Sequence, residues 1–166
     1  MDEAAGTLMD AQPPPLASEY LVTLHSPAGE PAQMIDPSLA IFRQQGEGWA
    51  RGPKLEGTIL PPTADWMRIM PGGSFRIDAR MVIRTADQAL IYVSYGGVVS
   101  VSQENFARMS AGGVLTPADM YFLITPVFQT AHPKYAWLNH LQAVGRVAEL
   151  RGGPEGYVRY DVFAVR

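Results

Sequence analysis

The sequence predicts an all-β, mainly antiparallel protein whose single domain is a closed or nearly closed β-barrel with one short helix. Short runs of β-branched and aromatic residues recur about every ten residues between glycine- and proline-rich turns. The central stretch 71–97 is typical of two strands folded back on each other, because apolar and polar residues alternate from Phe75 to Ile83. A barrel is favoured over a sandwich, since closure removes exposed strand edges.

The elements follow in order along the chain. Residues 1–17, which contain Pro13, Pro14 and Pro15, predict a flexible arm, and residues 18–166 predict the single barrel domain. The segment 26–37 is predicted as loop, 38–45 is left unassigned, and Pro61-Pro62 is expected to end a strand. One helix is predicted from Ser100 to Ala111. The predicted strands are 19–25, 54–60, 75–83, 89–95, 120–129, 141–150 and 157–165.

Composition removes several classes of function. A net charge of -3 gives no electrostatic reason to bind nucleic acid, and no apolar run is long enough to predict a membrane span. The chain has no cysteine, which excludes thiolate nucleophiles and disulfides and fits a cytoplasmic location. Homo-oligomerisation is left open by the sequence.

Established motifs for phosphate, dinucleotide and zinc binding are missing from the sequence, as is the nucleophile elbow of hydrolases. The three histidines, His25, His132 and His140, are too widely spaced for a local metal motif. We therefore expect neither a metal nor an organic cofactor.

The polar face of the central strands supplies one candidate site. Asp78 and Arg80 are two residues apart and so share a face, with Tyr92 as a cross-strand neighbour. A carboxylate beside a guanidinium and a neutral hydroxyl could bind an oxyanion or move a proton. The alternative is that these charges, with Arg84, form an ordinary solvated strand face.

Aromatic residues supply a second candidate. Trp66, Phe128, Tyr135 and Trp137 could line a pocket for a flat apolar ligand, with Asp65 and Asn139 fixing its orientation. Core packing is the alternative explanation for the same side chains.

Several segments resemble a bacterial family known as domain of unknown function 3237, or uncharacterised protein family 0311. They are GTILPPTADWMRI, FRIDARMVIRTADQALIYVSYGG, YFLITPVFQTAHPKYAWLN and AVGR, within residues 21–165. The resemblance implies a calycin-like or allene-oxide-cyclase-like barrel with a polar and aromatic interior. Two departures are Pro62-Thr63 and Gln88, at places where the family tends to have glycine. The matching positions are Asp65, Trp66, Asp78, Arg80, Arg84, Thr85, Tyr92, Tyr121, Phe128 and Trp137 to Asn139.

Two functions are consistent with these residues. The first is a cofactor-independent lyase, isomerase or cyclase that transfers protons on a small hydrophobic, aromatic or phenolic molecule. Its base would be Asp78 or Asp65 and its acid Tyr92 or Tyr121. Arg80 would stabilise an anion, while the aromatic group would bind the substrate. The second is a non-catalytic carrier or sensor with the same pocket. A cavity aspartate with a displaced pKa would favour the enzyme.

Overall fold

The computed structural model describes residues 12–28 and 31–166. Within them the chain forms eleven strands, one α-helix (α1, Gln103–Ser110) and a 3-10 helix (Pro133–His140). The strands are β1 (Ser18–Pro27), β2 (Gln33–Asp36), β3 (Leu39–Gln44), β4 (Gly48–Arg51), β5 (Glu56–Ile69), β6 (Ser74–Thr85), β7 (Leu90–Val101), β8 (Val114–Leu115), β9 (Met120–Gln129), β10 (Gln142–Arg151) and β11 (Tyr157–Val165).

Eight of these strands close a barrel, which confirms the predicted fold class. Around the barrel the order is β5-β4-β1-β11-β10-β9-β7-β6, and β6 pairs again with β5. Every pairing is antiparallel. The β2–β3 hairpin lies outside the ring and joins it through β5, while β8 pairs with β10.

The alternation in β6 separates the barrel interior from its outer surface. Ile77, Ala79, Met81 and Ile83 are buried, whereas the arginines at the even positions are exposed. An eight-stranded barrel is just wide enough for side chains to fill its interior or for the interior to hold one small ligand, and the apolar face of β6 points inward. The odd face of β6 is therefore the inner face.

Strand β5 is longer than the sequence predicts. It continues through Pro61-Pro62, where the prediction ended it, to Ile69. Proline has no N–H to donate to a strand ladder. The two prolines are tolerated because the ladder with β6 shifts register between Leu60 and Ala64, so no ladder hydrogen bond is required of them. The first part of β5 pairs with β4 and the later part pairs with β3.

Three further local predictions need correction. The predicted loop 26–37 contains β2, and the unassigned segment 38–45 contains β3. The helix begins later than predicted because Ser102, not Ser100, caps it by accepting a hydrogen bond from the Asn105 N–H (3.1 Å). Residue 100 still belongs to β7.

The two ends of the barrel differ in how tightly they are packed. We call the end near residues 86–89 and the 3-10 helix the sealed end, where Ile83, Ile91 and Val93 have no accessible surface. We call the opposite end, next to α1, the open end. Inner-facing residues there keep a small accessible fraction, among them Tyr95 with 6% and Phe122 with 6%.

The predicted arm lies largely outside the described residues, because the structure describes only 12–17 of it. Those residues are exposed and have no regular structure, although Ala17 exchanges two backbone hydrogen bonds with Arg166. That the arm is flexible remains a prediction. Among the described residues, no helix has the length and apolar character needed to cross a membrane.

Candidate active site inside the barrel

Asp65 is the acidic residue that the inner face of the barrel presents. Its register partners are Ala79 on β6 and Phe42 on β3, so its side chain shares the inward face of Ala79. The β5–β6 ladder is interrupted after this pair and resumes at Arg68. In the gap, the Asp78 N–H donates a hydrogen bond to Asp65 Oδ1 (2.9 Å) instead of to a carbonyl. The carboxyl is therefore held in a fixed position.

The surroundings of Asp65 make it a stronger base than an ordinary aspartate. Burial raises the pKa of its carboxyl from 3.8 to about 6, because desolvation disfavours the charged form. The hydrogen bond from the Asp78 N–H opposes the rise, and the negative charge of the Asp78 side chain adds to it. A carboxylate with a pKa near 6 is ionised at neutral pH and is able to take up a proton.

Two tyrosines on other strands lie beside this carboxyl. The rings of Tyr95 (β7) and Tyr160 (β11) meet edge to face, with centroids 5.8 Å apart. Tyr95 lies across β6 from Asp65, since both residues pair with Ala79. Burial raises the pKa of both hydroxyls, and the negative charge of Asp65 raises it further. Both groups thus remain protonated hydrogen-bond donors at neutral pH.

Apolar side chains surround this group toward the open end. Phe42, the cross-strand neighbour of Asp65, is 41% exposed, and Asp65 itself keeps part of its surface accessible. The Phe122 ring packs edge to face on Tyr160 at 5.3 Å. The remaining inner-facing residues of this end are Met67, Ile69, Phe75, Ile77, Val99, Val101 and Met120.

The structure places the Asp78, Arg80 and Trp66 group outside the barrel. Asp78 and Arg80 form an ion pair of 2.7 Å, with their side chains 59% and 47% exposed. The Arg80 guanidinium also lies 5.6 Å from the centroid of the Trp66 ring. The sequence predicted that Asp78 and Arg80 share one face of their strand, and in the structure that face points away from the barrel interior.

The other predicted polar residues of the central strands are also on the outer surface. Tyr92 faces Val82 rather than the Asp78–Arg80 pair, and it is half-exposed. Tyr121 is exposed opposite Ser100. Arg84 is exposed and lies 3.8 Å from Glu47.

The residues predicted to form an aromatic pocket do not lie together in the structure. Phe128 packs in the core of the sealed end. The Asn139 side chain accepts a hydrogen bond from the Thr130 N–H (2.8 Å) and donates one to the Thr130 carbonyl (2.9 Å). Trp137 lines a surface concavity of about 330 Å³ that also includes Tyr20. Phe128 lies two residues along β9 from Pro126, the partner of Tyr95, and Trp137 and Asn139 belong to the 3-10 helix.

Sequence reasoning identified Asp65 but missed Tyr95, Tyr160 and Phe42. The signal for Tyr95 was present, because it continues the apolar series Ile91 and Val93 at every second position of β7. A tyrosine on the buried face of a strand brings a hydroxyl into the core, where it needs a partner. Within the described part of the chain, no three histidine or acidic side chains come together as metal ligands.

Relatives in other bacteria share this sequence over much of its length. A protein of Clostridium acetobutylicum in uncharacterised family UPF0311 is 34% identical over 95 residues, which is 57% of this chain and 60% of that protein. A UPF0311 protein of Rhodopseudomonas palustris is 27% identical over 137 residues, 81% of this chain and 90% of its own.

Solved structures share the fold. A beta-barrel-like protein of Acinetobacter baumannii is 31% identical with a TM-score of 0.74, and the match covers 93% of this chain and 99% of that one. A protein of unknown function from Rhodopseudomonas palustris is 26% identical with a TM-score of 0.82, over 93% and 100%. A protein of Penicillium herquei described as an enzyme has 21% identity and a TM-score of 0.60 over 94% and 98%, and this likeness concerns the fold alone.

The family model for proteins of unknown function DUF3237 matches residues 16–165, nearly the whole described barrel. This chain therefore belongs to the DUF3237 family.

Proposed function

We propose that this protein is a cofactor-independent isomerase or lyase that transfers a proton on a small hydrophobic carbonyl compound, aromatic or phenolic in character. The observation that carries the proposal is Asp65, a carboxyl on the inner face whose pKa burial raises to about 6. A buried acid with a displaced pKa is a candidate for acid–base catalysis. A predominantly aromatic cavity without such an acid would instead have favoured a carrier.

The proposed step begins with the Asp65 carboxylate taking a proton from the carbon next to the substrate carbonyl. The electrons of the C–H bond form a carbon–carbon double bond, and the carbonyl π electrons move to oxygen, giving an enolate. In a β,γ-unsaturated substrate this enolate is a dienolate, and the protonated Asp65 returns the proton to its γ carbon, which moves the double bond into conjugation and isomerises the substrate. In a lyase the enolate instead expels a leaving group from the β carbon. Neither route consumes a co-reactant.

Tyr95 and Tyr160 would stabilise the enolate. Both hydroxyls stay protonated because burial raises the pKa of each, so they can donate hydrogen bonds to a developing oxyanion. Their rings are fixed by edge-to-face packing on each other, and Tyr160 also packs on Phe122. Donors fixed in advance need little reorganisation when the charge forms.

The exchange of the methyl protons of acetophenone for deuterium, followed by NMR in D2O, tests the proposal. We expect the parent to accelerate exchange above the buffer rate and Asp65→Asn to lower the rate about 100-fold or more, the usual size for a lost general base. Tyr95→Phe should lower it by about 10- to 100-fold. Tyr121→Phe is the matched control, because Tyr121 is exposed on the outer surface.

Two results would oppose the proposal. Exchange that is equally fast in the parent and in Asp65→Asn would exclude Asp65 as the base. Binding of acetophenone without any acceleration of exchange would favour the carrier function over the enzyme.

A further inference from the structure

The inner face of the barrel has an unusual distribution of charge. Its residues at the open end are methionine, phenylalanine, isoleucine, valine and tyrosine, with Asp65 as the ionisable acid among them. The arginines of β6 all lie on the other face of that strand. Among the inner-facing residues of the described strands there is no lysine or arginine.

This distribution determines which ligands can enter. A carboxylate, sulfonate or phosphate that reached Asp65 would lose its hydration without gaining a cation, and burying an unpaired charge is costly. It would also meet the like charge of the ionised Asp65. An uncharged ligand avoids both costs. The thioether and phenyl groups of the lining also pack well against flat rings.

We propose that Asp65 together with the cation-free methionine and phenylalanine lining restricts the barrel to uncharged aromatic ketones and phenols, and that Asp65 itself rejects anionic substrates. This inference rests on the proposed function, because it names the substrate class of the same site. It gives Asp65 a second role, in specificity.

An organic ammonium ion is the competing ligand class, since Asp65 could pair with it and aromatic faces attract cations. Two observations favour the uncharged class. One Asp65 oxygen already accepts the Asp78 N–H, and the two tyrosine hydroxyls are protonated donors that suit a carbonyl oxygen and not an ammonium group. The Tyr160 hydroxyl donates to that of Tyr95, so an ammonium group would leave the Tyr95 hydroxyl without an acceptor.

Calorimetric titration at pH 8 with three single-ring probes tests the inference: acetophenone, benzenesulfonate and benzylammonium. In the parent we expect acetophenone to bind at least tenfold more tightly than either ion. In Asp65→Asn the affinity for benzenesulfonate should rise about tenfold, while that for acetophenone stays within about twofold. Asp78→Asn removes a carboxylate of equal charge from the outer face and is the net-charge control, with less than a twofold effect expected.

A pH series on the parent keeps the test decisive if the Asp65 variant fails to fold. Benzenesulfonate stays ionised throughout, so its affinity should rise between pH 8 and pH 5 as Asp65 becomes protonated. Benzenesulfonate that binds as tightly as acetophenone, or benzylammonium that binds most tightly, would overturn the inference. Selective binding without proton exchange would contradict the proposed enzyme alone, and exchange without selectivity would contradict the charge selection alone.

Discussion

Replacing Asp65 by asparagine should make the protein more stable at neutral pH, because the parent has to desolvate a carboxylate that the variant lacks. Asparagine keeps the size of the side chain and an oxygen that can accept the Asp78 N–H. The pKa of Asp65 is about 6 in the folded protein against 3.8 for an ordinary aspartate. Multiplying that difference by 1.36 kcal/mol per pH unit gives an upper limit of about 3 kcal/mol.

The sign of the effect depends on pH. The folded parent holds the Asp65 proton more tightly than the unfolded chain, so the stability from this group is fully present below pH 3.8. It is lost as the pH rises toward about 6. The advantage of the variant should therefore be small at pH 4, grow up to pH 6 and stay constant above it.

Urea unfolding of the parent and of Asp65→Asn at pH 4, 5, 6 and 8 measures this difference directly. Taking the difference cancels the titration of all groups that the two proteins share. We expect the variant to gain about 1.5–3 kcal/mol at pH 8. A variant that is less stable at pH 8, or a difference that does not change with pH, would refute the desolvation of Asp65 on which the proposed base depends.

Three other substitutions test neighbouring parts of the structure. Asp78→Asn should lower the pKa of Asp65, measured by NMR titration of its carboxyl carbon, because the Asp78 charge contributes to raising it; an unchanged or higher pKa would contradict this. The same Asp78→Asn substitution should change the free energy of unfolding by less than about 1 kcal/mol, since the ion pair with Arg80 is exposed. Asn139→Ala should cost about 1–3 kcal/mol by removing both hydrogen bonds to the Thr130 backbone, and thermal unfolding without any loss would show that water replaces them. Gln88→Gly should stabilise by about 0.5–1 kcal/mol because residue 88 has φ +64°, and a loss in urea unfolding would mean that its side chain compensates.

The barrel could be predicted from local patterns, but the group of residues around Asp65 could not. Alternation in β6 and β7 depends on neighbouring residues, and the structure confirms the hairpin that it predicts. The same alternation also indicates that Asp78 and Arg80 lie on the face opposite the apolar one. They were nevertheless predicted as a catalytic pair, because residues two apart on a strand share a face. An apolar barrel interior accepts the apolar face, so the polar face had to lie outside.

The true neighbours of Asp65 come from distant parts of the chain. Phe42 lies on a strand that the sequence did not assign, and Tyr160 lies on the last strand. Their meeting depends on how the barrel closes and on the register shift in β5 near Leu60, neither of which a local pattern specifies. The positive φ of Gln88 could be anticipated, because it replaces glycine in a tight turn.

The division of β5 into two parts separates the pairing with β4 from the segment that carries Asp65. Residues 56–59 pair with β4, whereas residues 63–68 pair with β3 and so carry the β2–β3 hairpin beside Asp65; both parts pair with β6. Within the described residues, the hairpin joins the sheet only through this later part. Changes in the length or sequence of the hairpin can therefore alter the surroundings of Asp65 while the pairs of β5 with β4 and β6 stay in place.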